Sequence, residues 1–266
     1  MLYMPTASAH WYDVAGNPVF EVENKSKGGM RSTNLADARK MGLFPSVTTI
    51  LSVIGKPQLE NWKIRQAILA ALTLPRVENE SDDDFARRVV QDAQEESKAA
   101  KDLGSRVHWG VEAWIQGKSF DDPEVTPFVE TYIKWHKANV TEVIACEHRF
   151  CHSGYAGTAD LVAIVNGYTA VIDVKTQSGK PRYPLKAWEG YGEQLAAYAD
   201  GVEWRVTKLA NVIIDKNNPG RLEVVEHENR QQLRETFHAA FAIWQNRNNY
   251  DAPNIWRKLN MRKESV

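Results

Sequence analysis

The segment from Gly157 to Lys175 constrains this chain more than any other stretch. It reads Gly157-Thr158-Ala159-Asp160, the apolar run Leu161-Val162-Ala163-Ile164-Val165, the pair Asn166-Gly167, then Tyr168-Thr169-Ala170-Val171-Ile172-Asp173-Val174-Lys175. Asn-Gly between two β-rich runs signals a hairpin, because both central residues of the tight turn must take positive φ. A two-residue turn pairs Val165 with Tyr168 and, counting outward, Leu161 with Ile172; the next pair is Asp160 with Asp173. Opposed residues share a face with Cβ atoms about 4.5–5.5 Å apart, and like charges at that spacing repel. A divalent cation with oxygen ligands is the simplest thing that would hold them there. Side chains alternate with period two, so Lys175 falls on the face of Asp173. Two carboxylates and an ammonium on one surface suit phosphodiester hydrolysis. The carboxylates would position a metal that polarises phosphate and acidifies a bound water; the lysine would orient that water or stabilise transition-state charge. A lone Asp-x-Lys reads equally as a strand end beside a solvated charge, and the cross-strand register is what separates the two readings.

The remaining composition sets bounds. A chain of 266 residues, 43% hydrophobic, can bury a substantial core as one large domain or a core with an insertion. The balance of 33 Lys+Arg against 34 Asp+Glu argues against coating nucleic acid by bulk charge, though not against a local basic groove. The two cysteines, Cys146 and Cys151, speak against a disulfide-stapled fold and for a reducing, cytoplasmic setting. Cys146, His148, Cys151 and His152 crowd together, but paired C-x-x-C spacing is missing and a zinc site is set aside. Met1 to His10 lacks the basic start and apolar run of a signal peptide. No run approaches the roughly 18–20 apolar residues of a membrane span, so no membrane partner is expected.

Periodicity predicts an α/β order with a long helical N-terminal portion. His10 to Glu23 reads as a hairpin about Gly16-Asn17-Pro18, and the polar stretch from Lys25 to Lys40 as a mobile loop. Helices are expected from Ser46 as cap, from Gln58 to Leu74, and from Ser81 to Lys101. Gly104 would separate the last from a helix over Ser105–Gln116, and a further one covers Pro123–Ala138. Strands follow near Val143–Ala145, Leu161–Val165, Ala170–Val174, Val212–Ile214 and Leu222–Val225, with helices over Lys186–Ala199 and Glu228–Arg247. The change near residue 140 marks a subdomain border.

Taken in order, these segments resemble the PD-(D/E)XK nuclease superfamily, in its RecB-like branch. Gly157-Thr158-Ala159-Asp160 stands for the first acidic motif, with alanine where the family's name has proline. Asp173-Val174-Lys175-Thr176 matches the second, Gln194-Leu195-Ala196-Ala197-Tyr198 the Q-x-x-x-Y helix, and Gly104-Ser105-Arg106-Val107-His108 the helix bearing a metal-binding histidine. Pro45-Ser46-Val47-Thr48-Thr49-Ile50-Leu51 is similar to a segment of mitochondrial genome maintenance and related phage exonucleases. The resemblance implies a restriction-endonuclease-like core, a central mixed sheet flanked by helices, with a helical N-terminal region. Residues 1–139, a hairpin and helices, would belong to the same fold and carry the histidine; residues 140–266 would form the nuclease core. It further implies His108, Asp160, Asp173 and the Val174 carbonyl as ligands of one or two Mg²⁺ or Mn²⁺ ions, and Lys175 as the catalytic lysine. Gln194 and Tyr198 would position the lysine and the DNA backbone. The cysteines of iron–sulfur relatives are missing, so no cluster is expected.

Further candidates are weaker. Thr176, Lys180, Arg182, Ser46, Thr48 and Trp62 could touch substrate, with Lys186 and Trp188 nearby. A solvated loop explains the basic residues as well, and capping explains Ser46. Glu112, one turn past His108, could assist the metal or face solvent, and Glu147 could lie near the centre. Trp109, Trp114, Trp135 and Trp244 are expected in the core. The resulting expectation is a Mg²⁺- or Mn²⁺-dependent DNA exonuclease acting on single strands or duplex ends in replication, recombination or repair. Its layout suits a phage enzyme, with a recombination or single-strand-binding protein as candidate partner. A non-cleaving DNA-binding module and an endonuclease of the same superfamily remain as alternatives.

Overall fold

Apolar residues on both sides of the Asn166-Gly167 turn can be buried on both faces only at the middle of a sheet with a layer on each side. The computed structural model, which describes residues 10–24, 26 and 28–263, has that arrangement. The expectations placed on Met1 to Ala9, and on Lys25 and Lys27, lie outside the described residues.

The elements run β1 (Trp11–Tyr12), β2 (Glu21–Glu23), β3 (Met30–Ser32), α1 (Leu35–Met41), β4 (Phe44–Pro45), α2 (Val47–Leu51), α3 (Pro57–Thr73), α4 (Asp82–Ile115) and α5 (Thr126–Asn139). They continue with β5 (Val140–His152), β6 (Tyr155–Val165), β7 (Tyr168–Gln177), α6 (Tyr191–Gly201), β8 (Lys208–Asp215), β9 (Leu222–Glu226), α7 (Arg230–Asn248) and α8 (Ala252–Lys263). Strands β5-β6-β7-β8-β9 form one mixed sheet in that order: β7 and β8 are parallel, the other neighbours antiparallel. The parallel step is the crossover through α6. The class is therefore α/β, a central mixed sheet flanked by helices.

Alternate strand residues feed the two layers. Leu161, Ala163, Ala170, Ile172 and Val174 pack with Val107 and Val111 of α4 and Phe128, Val129 and Tyr132 of α5. Val162, Val171 and Leu209 point the other way, into a core with Leu195, Phe237, Phe241 and Val47. The β6–β7 register is the expected one, Val165↔Tyr168 through Leu161↔Ile172, with Asn166 at φ 49° and Gly167 at φ 83°.

Several local expectations are corrected. The hairpin over His10–Glu23 is not a two-stranded unit: β1 pairs with β4, and β2 pairs with β3. The two halves of that segment are tied by a bridge between Tyr12 and Pro18, by the Val19 N–H to Trp11 carbonyl and Asp13 N–H to Asn17 carbonyl bonds, and by the Phe20 ring against His10 and Tyr12. Within the stretch read as a mobile loop stand β3 and α1, the latter started by a capping box in which Asn34 and Asp37 exchange side-chain to backbone bonds. Helix α8 continues the chain beyond the last expected helix.

Gly104 does not divide two helices. Helix α4 runs unbroken for 34 residues, because a mid-helix glycine costs only about 1 kcal/mol against alanine and packing outweighs it. A Cβ at Gly104 would lie 2.9 Å from Thr176 Oγ1, so the missing side chain lets α4 close on β7 one turn before His108. Gly104→Val should therefore lower stability by roughly 1–3 kcal/mol, the usual cost of overpacking. The urea midpoint would report it, and an unchanged midpoint would mean the contact is slack.

Candidate active site

The face of α4 carrying Ser105, His108, Trp109 and Glu112, three and four residues apart, looks into a cleft of about 820 Å³. The floor is made by β5, β6 and β7 through Glu147, Thr158 and Val174 to Thr176, and Trp62 of α3 and Tyr191 of α6 complete the wall.

At the foot of the cleft four ionisable groups converge. His108 Nε2 lies 2.8 Å from Asp160 Oδ2 and 3.7 Å from Glu147 Oε1. His108, Glu112 and Glu147 each bring one potential ligand atom within 4.8 Å of the others. Glu147 sits at φ 53°, in the left-handed region a glutamate rarely adopts, between the paired residues Cys146↔Leu161 and His148↔Ala159. Its Oε1 is buried with no hydrogen-bond partner. A strained backbone that aims a carboxylate oxygen at other carboxylates calls for a cation. The donor set, one imidazole with several carboxylates, fits a divalent metal.

The second half of the site surrounds Asp173, which is 1% exposed. Its Oδ1 accepts from Lys175 Nζ at 2.7 Å and Gln194 Nε2 at 3.0 Å, and its Oδ2 from Asn211 Nδ2 at 2.7 Å. Gln194 Nε2 also donates to Tyr198 Oη at 2.9 Å, so both residues of the Q-x-x-x-Y pattern are spent on one buried network. Beyond Leu161↔Ile172 the β6–β7 ladder ends, so the expected Asp160–Asp173 pair is not part of it; the Val174 N–H instead donates to Asp160 Oδ2 at 2.9 Å. The two aspartates thus stand at the end of the hairpin with different neighbours: Asp160 meets His108, and Asp173 meets Lys175.

The charges respond to this crowding. Burial raises the Glu147 carboxyl to about 8, with the Asp160 and Glu112 carboxylates adding to the shift against His108. Burial likewise raises Asp173 to about 6 although Lys175 opposes it. Burial works against the His108 cation, but Asp160, Glu147 and Asp173 outweigh it and raise that ring to about 9. Burial also opposes ionisation of Asp160, and the charge and hydrogen bond of His108 overcome it and lower its pKa. Lys175 is raised despite burial, by Asp173 and Asp160.

The other expected residues are distributed as follows. Thr176, Tyr198, Trp62, Ser46 and Thr48 line the cleft. Ser46 is 3% exposed and its Oγ serves the helix, accepting from Thr49 N at 3.0 Å and bonding the Thr48 and Thr49 hydroxyls. Lys180 and Arg182 are exposed and are not among the lining residues. Their loop is tied to the β8–β9 turn by Gly179 N–H to Asp215 and by Arg221 to the Lys180 carbonyl. Trp244 is buried, and Trp114 and Trp135 pack half-buried against α5 and β6 neighbours. Trp109, expected in the core, is half-buried at the cleft because it shares the helical stripe of His108. Asn211, His227, Arg149 and Tyr191 join or border the site without having been singled out in the sequence; no local pattern marks them.

The family model of the PD-(D/E)XK nuclease superfamily matches residues 67–256, most of the chain, including His108, Glu147, Asp160, Asp173, Lys175 and Gln194. The chain belongs to the PD-(D/E)XK nuclease superfamily. No curated protein sequence matches it. Among solved structures it is similar to SSO0001 at 14% identity, over 70% of this chain and 86% of that one, with a TM-score of 0.30, a level at which the two folds are not shown to correspond. Among the described residues, no helix of this nuclease is long and apolar enough to cross a membrane.

The raised groups set a pH dependence. Asp173, Glu147 and His108 have folded pKa values of about 6, 8 and 9 against ordinary values of 3.8, 4.5 and 6.5. Each therefore adds stability that is complete below its ordinary value and is lost as pH rises through its folded value. Without divalent metal the melting temperature should fall between about pH 4 and 9, first through Asp173 and Glu147 and last through His108, and the rise in melting temperature on adding Mn²⁺ should grow over the same window. Calorimetric melts at fixed ionic strength measure both; a metal-induced rise that is flat with pH would contradict the assignment.

Proposed function

We propose that this nuclease is a metal-dependent DNA exonuclease acting on single-stranded ends, and that the chemistry is centred between His108 and Lys175. The observation that carries the reading is the buried Glu147 oxygen, without a hydrogen-bond partner, 3.7 Å from a His108 ring that itself bonds Asp160, next to a lysine–aspartate pair. His108, Glu147 and Asp160 would hold the ion, with Asp173, Glu112 and the Val174 carbonyl as further ligands. Of the two ions expected, the imidazole in this donor set favours Mn²⁺ over Mg²⁺. When bound, the metal would supply Lewis-acid activation of the phosphate and of an attacking water.

The protein's own groups do the rest. Asp173 Oδ1 holds Lys175 Nζ at 2.7 Å, and Gln194 braces the same oxygen, so the ammonium is preset beside the reacting phosphate. An ammonium held in place meets the charge that develops on the phosphoryl oxygens without reorganising. Tyr191, 5.2 Å from Lys175 Nζ across its ring, gives the ammonium a second support. Trp62, Trp109 and Trp188 along the cleft offer flat faces for unpaired bases, a sequence-tolerant mode suited to single strands. Arg149, exposed on the cleft wall, offers a cation to the backbone. Action at DNA ends in replication, recombination or repair, beside a recombination or single-strand-binding protein, is the setting that the motif order supports.

Purified protein with labelled single-stranded oligonucleotide and Mn²⁺ should shorten it stepwise, and EDTA should stop the reaction. Lys175→Ala should lower the turnover by about 10²–10³-fold, the usual loss when one preorganised donor to a developing charge is removed, with an unchanged circular dichroism spectrum. A mobility shift without products would support a binding module instead. Cutting of a circular single strand would make the enzyme an endonuclease.

A further inference from the structure

Asp173 leads away from the cleft through its second oxygen into groups that the reaction so far leaves unused. Asn211 of β8 is fully buried and donates Nδ2 to Asp173 Oδ2 at 2.7 Å, while its Oδ1 lies 2.8 Å from Nε2 of His227, the residue after β9. An amide oxygen only accepts, so His227 must carry its proton on Nε2. That proton fixes the direction of the amide, because a flipped Asn211 would set its oxygen against the Asp173 carboxylate and its NH₂ against the ring. The ring reaches this place beneath α6 through a missing side chain: a Cβ at Gly192 would lie 2.9 Å from His227 Nδ1.

The lone pairs of Asp173 explain what the relay does. A carboxylate oxygen accepts about two hydrogen bonds. Oδ1 already receives Lys175 and Gln194, whereas Oδ2 receives Asn211 alone among the hydrogen bonds described here. The open acceptor position of Asp173 is therefore on Oδ2, and the Asn211 amide decides which way it faces. We propose that Asn211 and His227 are positioning residues of this nuclease: His227 orients the Asn211 amide, and the amide fixes the orientation in which the Asp173 carboxylate serves the metal and Lys175. The proposal rests on the metal-dependent reading above. It adds two residues, from the two strands at the open end of the β8–β9 hairpin, that act only through Asp173.

The test titrates Mn²⁺ into the full-length protein by electron paramagnetic resonance, beside single-turnover cleavage of a labelled single-stranded oligonucleotide. Asn211→Leu keeps the branched outline of the side chain and removes the amide. Its Mn²⁺ dissociation constant should rise about 10–100-fold, the usual effect of losing an outer-shell partner of a ligand. Metal-free oligonucleotide affinity should not change. His227→Phe should shift Mn²⁺ binding in the same direction, and His227→Gln, whose Nε2 can donate from a similar position, should restore it towards the native value. Nitrogen-15 spectra of the native protein should show His227 protonated on Nε2. Should Asn211→Leu fail to fold, the His227 pair decides. Native Mn²⁺ affinity in His227→Phe, no recovery in His227→Gln, or an unprotonated Nε2 would each overturn the relay. Neither Mn²⁺ binding nor the nitrogen-15 spectrum needs turnover, so a native protein that bound Mn²⁺ but cut nothing would count against the exonuclease reading and leave the relay to be judged on these measurements.

Discussion

One electrostatic conflict organises this molecule. Glu112, Glu147 and Asp160 are gathered about a single imidazole, largely out of water, where like charges repel and desolvation is costly. The conflict is visible in the raised Glu147 and His108 values and in the Glu147 oxygen that finds no donor. A fold that merely sought stability would not assemble such a cluster, since paired or apolar replacements cost less. Its persistence makes sense if a cation is the missing partner.

The scaffold is arranged to impose that conflict. Helix α4 crosses the sheet as one rigid rod and delivers His108 and Glu112 from a single stripe. Gly104 brings the rod onto β7, and the left-handed backbone at Glu147 turns its carboxylate into the cleft from β5. On the far side, Asp173 is gripped through both oxygens, by Lys175 and Gln194 on one and Asn211 on the other. The two aspartates of the hairpin therefore belong to different halves of the cluster, Asp160 beside the histidine and Asp173 beside the lysine. Their shared position at the end of β6 and β7 keeps the halves adjacent.

Much of this was legible in the chain, and the reasons are local. A two-residue Asn-Gly turn leaves one register, so the order of pairs from Val165↔Tyr168 to Leu161↔Ile172 follows by counting. Ser46 announced α2 because capping chemistry acts over three residues. The misreadings came where distant packing overrules local preference. Gly104 reads as a break until Thr176 is known to press against it. Trp11 and Tyr12 seem to belong to a hairpin until β4, more than thirty residues later in the numbering, pairs with them. Asn211 and His227 carry no signal at all, since a lone asparagine in an apolar strand gains meaning only from the carboxylate on the neighbouring strand. The capping box at Asn34 and Asp37 was in the chain to be read, and it marks α1 in a stretch that composition alone presents as loop.

The proposed cation between the two halves is the claim on which the functional account stands. Crystals of the protein soaked in Mn²⁺ and measured at the manganese absorption edge would locate it by anomalous scattering. The account predicts a peak in coordinating contact with His108, Glu147 and Asp160. A peak elsewhere, or none at saturating Mn²⁺, would contradict it.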